Sequence, residues 1–198
     1  MTNINQRLDK IKDKILDRKF IEGRGLGNEI SFYIFDYEPR HELIVREHIQ
    51  WLKQYFDNEV HERHIIEFDL YKMMLDIAKE KGVFEQIFKK EKHEGKEELF
   101  KALIHFAKPE IFLEKMVNKV ENSTYNVIFI TGVGKIYPFI RSHTILNNLQ
   151  EKVDDISVIM FYPGTYDGQS LNLFNKFKDD NYYRAFPLVD HKIGGRTS

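Results

Sequence analysis

The sequence predicts an α/β fold in three layers, with a mostly parallel five-stranded sheet covered by helices on both faces. Short segments rich in β-branched and aromatic residues alternate with segments whose apolar residues recur every three or four positions. Parallel strands need long connections, usually helices, so this alternation favours a parallel sheet. Charged residues number 46 among residues 1–123 but only 15 among the 75 that follow. Strands buried on both faces require such low charge.

Apolar periodicity predicts the helices, which are expected at Asn5–Lys19, Glu42–Phe56, Tyr71–Lys81, Phe84–Lys92, Lys96–Phe106, Glu110–Val120, Pro138–Leu149 and Ser170–Phe177. Runs of β-branched and aromatic residues predict the strands, which are expected at Ile30–Asp36, His64–Leu70, Asn126–Thr131, Ser157–Tyr162 and Tyr183–Val189. Every element predicted between the second and third strands is a helix. We therefore expect one α/β domain over residues 1–198, with a helical insertion at about 71–121.

Composition excludes several classes of function. The chain has no cysteine, which excludes a disulfide framework, a thiolate zinc site and a cysteine nucleophile. Its formal net charge of −1 gives no general attraction for nucleic acid. No segment approaches the roughly 18 apolar residues of a membrane span, and the charged first residues lack the apolar core of a signal peptide. We therefore expect a cytoplasmic protein that binds neither nucleic acid nor membrane.

Neither Gly-Lys pair of the sequence fits a phosphate-binding loop. Such a loop reads G-x-x-x-x-G-K-[ST], because backbone amides and the lysine hold the phosphate and the hydroxyl holds its magnesium ion. Lys90 and Phe129 stand where the first glycine is required, before Gly95–Lys96 and Gly134–Lys135. No Ser or Thr follows either lysine. A P-loop ATPase site of the usual kind is therefore excluded.

Gly132 and Gly134 form half of a dinucleotide-binding pattern, but Tyr137 stands where the third glycine is required. A plain turn from strand to helix is the simpler interpretation, with Pro138 in the first turn of the helix. The alternative is an enzyme that binds a nucleotide through unorthodox loops. Its candidate ligand contacts would be Gly132, Gly134, Lys135 and Arg141.

Patterns for metal ligands and nucleophiles are weak. His61 and His64 are one position short of the helical spacing that H-E-x-x-H sites use. Ser170, His143 and Asp167 are the residue types of a catalytic triad, but the sequence lacks the G-x-S-x-G pattern of a nucleophile elbow. We therefore expect no catalytic residue, no metal site and no cofactor.

The C-terminal part of the chain is rich in aromatic residues. Tyrosine and arginine are the residue types that dominate hot spots of protein interfaces. We therefore identify Tyr166, Tyr182, Tyr183 and Arg184 as candidate partner-binding residues. The alternatives are packing of these rings in the core and base stacking on a nucleic acid.

Five phrases of the sequence occur together in one known family. They are RGLGNEISFYIFDY (Arg24–Tyr37), VREHI (Val45–Ile49), ITGVGKIYPFIRSHTILNNLQ (Ile130–Gln150), FYPGTYDGQSLNLF (Phe161–Phe174) and NYYRAF (Asn181–Phe186). In this order the phrases resemble the BrxB family, which is encoded in BREX bacteriophage-exclusion loci. The resemblance runs from about Leu8 to Val189, and the charged helical block Tyr71–Glu121 carries none of the phrases.

The resemblance implies a small cytoplasmic component of an antiviral system that also contains a DNA methyltransferase, a large ATPase and PglZ, an alkaline-phosphatase-like protein. It transfers no catalytic residue to this chain, and it implies PglZ as the partner. Neither Gly-Lys pair fits a phosphate-binding loop. Together with this observation, the resemblance favours a non-catalytic adaptor whose sheet looks like a P-loop NTPase core without a phosphate-binding loop. The alternative is a nucleotide-binding or nucleotide-hydrolysing enzyme on the same sheet.

Overall fold

The computed structural model describes residues 3–18, 20, 31–153, 156–179, 181 and 183–190. Its helices are, in chain order, α1 (Ile4–Leu16), α2 (Glu42–Glu59), α3 (Leu70–Glu80), α4 (Phe84–Phe106), α5 (Pro109–Val120), α6 (Val133–Ile136) and α7 (Ser142–Gln150), with a 3₁₀ turn (Pro39–His41) before α2. Its strands are β1 (Phe32–Tyr37), β2 (Ile65–Asp69), β3 (Val127–Thr131), β4 (Ser157–Tyr166), β5 (Leu171–Leu173), β6 (Phe177–Asp179) and β7 (Phe186–Pro187). None of these described helices has both the length and the apolar composition that crossing a bilayer requires.

Parallel strands form the main sheet, in the order β2-β3-β4-β1-β7. Phe32 of β1 lies opposite Val158 of β4, and Ile65 of β2 lies opposite Val127 of β3. The predicted α/β class and the mostly parallel sheet are therefore confirmed. The short strands β5 and β6 extend the sheet in antiparallel fashion from the end of β4.

Helices cover both faces of this sheet. Ile34 and Met160 face one layer, which contains α3, α5 and α7. The next residues along the two strands, Phe35 and Phe161, face the other layer, which contains α1 and α2. Successive side chains of a strand point to opposite faces, so a strand that is buried on both faces is apolar at most of its positions. This burial is the physical reason why the strands could be predicted from the sequence.

The segment Ser170–Phe177 belongs to a β-hairpin, so the helix predicted there is wrong. β5 buries two leucines at alternate positions, and the chain turns at Phe174 and Asn175, which both have positive φ. β5 packs so closely on β4 that a Cβ atom on Gly164 would lie 2.1 Å from a carbonyl oxygen of β5. The absence of a side chain at Gly164 permits this pairing of β5 with β4. Apolar periodicity gives no signal for such a pairing.

Other predicted boundaries shift. β4 continues through Pro163 instead of ending before it, because its carbonyl accepts a backbone hydrogen bond from the hairpin. The helix predicted from Pro138 begins at Ser142. The last strand, predicted at Tyr183–Val189, shortens to the two residues of β7. The predicted start of the first strand at Ile30 lies outside the described residues.

The helical insertion lies between β2 and β3, as predicted. α4 bends at Gly95, whose φ of 83° and ψ of 172° are not helical, so its halves match the helices predicted at Phe84–Lys92 and Lys96–Phe106. α5 buries Phe112 and Met116 in the core. None of the 23 residues of α4 is buried. The insertion is therefore anchored by its other helices, and α4 lies on the outside.

A buried ion pair connects distant parts of the chain. Arg7 is 5% exposed and Asp36 is 3% exposed. The Arg7 guanidinium donates to the Asp36 carboxylate at 2.9 Å, to the Asp36 carbonyl at 2.6 Å and to the Val189 carbonyl at 3.2 Å. The other carboxylate oxygen of Asp36 accepts the backbone N–H of Tyr166 at 2.9 Å. These bonds hold together α1, β1, the end of β4 and the segment after β7.

Candidate functional site

A cleft of about 420 Å³ opens at the carboxyl edge of the parallel sheet. It lies between α2, which follows β1 on one face, and the beginnings of α3 and α6, which follow β2 and β3 on the other face. In open α/β sheets, ligands bind in the crevice between connections that leave the carboxyl edge toward opposite faces. The fold therefore places a cavity of small-molecule size where this class of protein binds ligands.

Glu67 lies near the end of β2 within a network of hydrogen bonds. Its carboxylate accepts from the Lys53 ammonium at 2.8 Å, from the Gln50 amide at 3.2 Å and from the Thr131 hydroxyl at 2.9 Å. Burial alone would raise the pKa of Glu67, but the hydrogen bonds from Lys53 and Thr131 outweigh burial and hold that pKa below its usual range. The Glu67 carboxylate is therefore ionised at neutral pH, with Lys53 as its counter-charge.

Asp69 ends β2 and caps α3. One carboxylate oxygen accepts the backbone N–H groups of Tyr71 at 3.0 Å and Lys72 at 3.2 Å, and the other lies 2.6 Å from the Lys135 ammonium. Gly132 has a φ of 72°, and a Cβ atom on it would lie 2.2 Å from the Asp69 carboxylate. A glycine is therefore required where the end of β3 meets Asp69.

Two cations and two carboxylates of the cleft have no ion-pair partner among the described residues. The cations are Arg46 on α2 and Lys72 on α3, and both side chains are exposed. The carboxylates are Glu47, at the rim, and Glu42, which accepts a hydrogen bond from the Tyr37 hydroxyl at 2.6 Å. Burial and the neighbouring Glu42 raise the pKa of Tyr37, so the Tyr37 hydroxyl stays protonated and donates.

The structure brings together only part of the ligand set considered from the sequence. Gly132 and Lys135 line the cleft. A Cβ atom on Gly134 would lie 2.8 Å from the Phe174 ring, so Gly134 faces the hairpin instead. Arg141 lines a separate cavity of about 80 Å³. The four predicted residues therefore do not share one site.

His143 belongs to a second polar cluster, beside the smaller cavity. Its Nδ1 lies 3.1 Å from the Asp179 carboxylate, which also accepts from the Tyr183 hydroxyl at 2.8 Å. Burial would raise the pKa of Asp179, but hydrogen bonds from Tyr183 and His143 lower it overall. Ser170 donates to Asp167 at 2.8 Å, away from this pair. The triad considered from the sequence is not assembled.

The histidine pair considered as metal ligands lies in the loop before β2. His61 and His64 are both exposed. Among the residues that the structure describes, no three His, Asp or Glu side chains are placed to hold a metal ion.

Two of the candidate partner-binding tyrosines are buried. Tyr166 is 5% exposed and Tyr183 is 1% exposed, and the Tyr166 hydroxyl donates to the Ala185 carbonyl at 2.8 Å. Both rings pack in the core, which was the alternative considered for them, so neither reaches a partner in this conformation. Arg184 is exposed, and Tyr182 lies outside the described residues.

Sequence reasoning did not identify the polar side chains that α2 presents to the cleft. Besides Glu47 at the rim, they are Glu42, Arg46, Gln50 and Lys53. They recur every three or four positions beside the buried stripe of α2, and a solvated helical face has the same pattern. For Asp69 a signal exists, since a carboxylate between a strand and a helix is a typical helix cap.

The fold and the cleft define a class: an α/β protein with a parallel sheet, a charged cleft at its carboxyl edge, and Glu38–His41 in place of a glycine-rich loop after β1. Residues 66–188 match the family model described as "BREX protein BrxB". The chain belongs to this BrxB family, which places it in the BREX antiphage defence system. The resemblance seen in the sequence is thereby confirmed.

Two relatives cover nearly the whole chain. One is the BREX protein BrxB of Bacillus cereus (strain H3081.97), 47% identical over 194 residues, which are 96% of this chain and 100% of the relative. Another is the BREX protein BrxB of Escherichia coli O9:H4 (strain HS), 33% identical over 186 residues, which are 94% of this chain and 92% of the relative. No solved structure matches the chain.

Proposed function

We propose that this BrxB-family chain is a non-catalytic adaptor of the BREX system and that PglZ is the protein it binds. The choice of PglZ comes from the family resemblance. The observation that carries the adaptor function is the exposed apolar surface of α4, the outer helix of the insertion.

α4 presents large apolar side chains to solvent. Phe88 is 54% exposed, Phe100 41% and Ile104 45%. Phe88 and Ile104 are not among the residues that pack against the core, whereas the Phe100 ring lies 5.4 Å from the ring of Phe139, which does pack there. Exposed apolar surface with a polar rim is typical of protein interaction sites, and phenylalanine is enriched there. The Lys and Glu residues between them would form that rim.

The chemistry of the cleft supports binding rather than turnover. The Lys53 ammonium neutralises Glu67. The Lys135 ammonium neutralises Asp69, which also caps α3. A carboxylate such as Glu67, whose pKa lies below its usual range, is a poor general base at neutral pH.

We also propose that the sheet corresponds to a P-loop NTPase core in architecture only. The parallel sheet, the helices on both faces and the cleft at the carboxyl edge support this comparison. The loop that would hold phosphate after β1 is replaced by Glu38–His41, which carries a carboxylate and no glycine. The usual phosphate-binding loop is therefore missing at the end of β1, which fits a chain that does not hydrolyse a nucleotide.

Truncating the exposed apolar side chains of α4 should weaken the complex. We expect Phe88→Ala and Ile104→Ala each to reduce the affinity for PglZ by about 1–3 kcal/mol, as interface hot spots do. Both side chains lie outside the core, so the variants should fold. Titration calorimetry with purified PglZ measures the effect. Ile44→Ala is the matched control, because Ile44 is 42% exposed on α2, across the sheet from the insertion, and does not line the cleft.

Co-purification of the tagged chain with each BREX protein tests the choice of partner. Retention of PglZ by the unmodified chain, and its loss with the α4 variants, would support the proposal. A chain that retains none of the BREX proteins would contradict the adaptor function. If Arg184→Ala weakens the complex and the α4 variants do not, the contact lies at the C-terminal surface rather than on α4.

A further inference from the structure

We propose that the cleft at the carboxyl edge of the sheet binds a nucleotide as its Mg²⁺ complex, without hydrolysing it. The cleft is lined by charges of both signs that form no ion pair with a described residue, and a ligand that carries both signs would complement them. The volume of the cleft and its position at the sheet edge favour a nucleotide among such ligands.

The arrangement at the end of β1 leaves Arg46 without a carboxylate partner among the described residues. A glutamate four residues before an arginine normally pairs with it on a helix, and Glu42 occupies that position. Instead, Glu42 accepts the hydrogen bond from the Tyr37 hydroxyl at 2.6 Å. Arg46 forms no ion pair with any described residue and lines the cleft. Its guanidinium has the fork of donors that suits a phosphate group.

Lys72 supplies a second cation from the opposite wall. It lies in the first turn of α3, whereas Arg46 lies on α2, and the two helices pack on opposite faces of the sheet. Like Arg46, it has no ion-pair partner within the described ranges. A phosphate chain in the cleft would therefore meet a cation on each side.

The carboxylates Glu42 and Glu47 explain why phosphate alone is a poor fit. Neither forms an ion pair with a described cation, so a bare polyphosphate in the cleft would also meet two negative charges that it cannot bind. Mg²⁺ is typically held by one or two carboxylates together with phosphate oxygens. A magnesium–phosphate complex presents its metal ion to carboxylates and its phosphates to cations, and it satisfies both sets of charges.

The size of the cleft and its lining favour a nucleotide over a smaller dipolar molecule such as an amino acid. The volume of about 420 Å³ falls in the range of roughly 300–1,000 Å³ for ligand sites. Leu43, which is 68% exposed, lines part of the cleft and offers an apolar contact to a base. The position at the carboxyl edge is where nucleotides bind in related sheet architectures.

Titration calorimetry of the full chain with ATP tests the proposal. We expect binding in Mg²⁺ buffer with a Kd below about 1 mM, and its loss in excess EDTA. No heat at millimolar ATP would overturn the proposal, as would affinity that is insensitive to EDTA. Equal affinity for inorganic triphosphate would overturn the assignment of a nucleotide. Phosphate release from bound ATP would contradict the non-catalytic function proposed above and leave the binding site intact.

Single substitutions assign the roles within the cleft. Arg46→Ala should weaken Mg²⁺–ATP binding about 10- to 100-fold, the range for a lost hydrogen bond to a charged group. Glu47→Gln should reduce the dependence of the affinity on Mg²⁺, and Glu42 would account for the dependence that remains. Lys79→Ala is the matched control, because Lys79 is an exposed lysine of α3 that does not line the cleft. Unchanged affinity in Arg46→Ala, with native circular dichroism, would refute the site.

Discussion

Replacing Asp36 with alanine should lower the free energy of unfolding by about 3–5 kcal/mol, because it leaves the Arg7 guanidinium buried without a counter-charge. The substitution removes the carboxylate that lies 2.9 Å from Arg7 and the acceptor of the Tyr166 backbone N–H. Both lost bonds are buried. A buried charge that has lost its partner is far more destabilising than the pair itself is stabilising.

Urea unfolding followed by circular dichroism measures this loss. Glu38→Ala is the control, since the Glu38–Arg40 pair at 2.8 Å is exposed and should contribute only about 0–1 kcal/mol. Equal destabilisation in the two variants would show that Asp36 has no special role. The double variant Arg7→Met/Asp36→Leu should be more stable than Asp36→Ala, because it buries no charge.

Replacing Tyr183 with alanine should destabilise the fold by about 3–5 kcal/mol, the cost of removing a large aromatic side chain from a core. Its ring is 1% exposed. Tyr183→Phe keeps the ring and loses the hydrogen bonds of the hydroxyl, one to the Asp179 carboxylate at 2.8 Å and one with the backbone of His143. A lost hydrogen bond to a charged group costs about 1.5–3 kcal/mol, so this variant should stay folded.

The pair of variants separates a core role from an interface role. We expect Tyr183→Phe to bind PglZ with the affinity of the unmodified chain, and Tyr183→Ala to show a clear loss in urea unfolding. The opposite pattern, a Tyr183→Ala chain of normal stability that fails to bind PglZ, would make this tyrosine an interface residue after all.

The parallel core was predictable because its strands are buried on both faces. Val127–Thr131 and the first half of β4 are nearly unbroken apolar runs, which few other structures can accommodate at that length. Helical periodicity between such runs implies crossover connections, and these imply parallel pairing. Local composition and period were sufficient here because the solvent is excluded from both sides of the strands.

The hairpin and the cleft were not predictable, for different physical reasons. The hairpin depends on the missing side chain of Gly164 and on the backbone of the turn, and neither changes the apolar pattern. The cleft depends on which charges meet across the sheet edge. The Lys135–Asp69 pair joins residues 66 positions apart. The tertiary fold determines this ion pair. From the sequence alone, each of the two residues would be predicted as an ordinary surface charge.

The hydrogen bond from Arg7 to Val189 spans 182 positions of the chain. A ribosome that adds about 5–20 residues per second needs roughly 10–40 s to pass from one to the other. During that interval α1 can already pack against α2 and β1, but Arg7 cannot form this hydrogen bond. Synthesis of Val189 therefore sets the earliest moment at which the Arg7 guanidinium can contact all three of its acceptors.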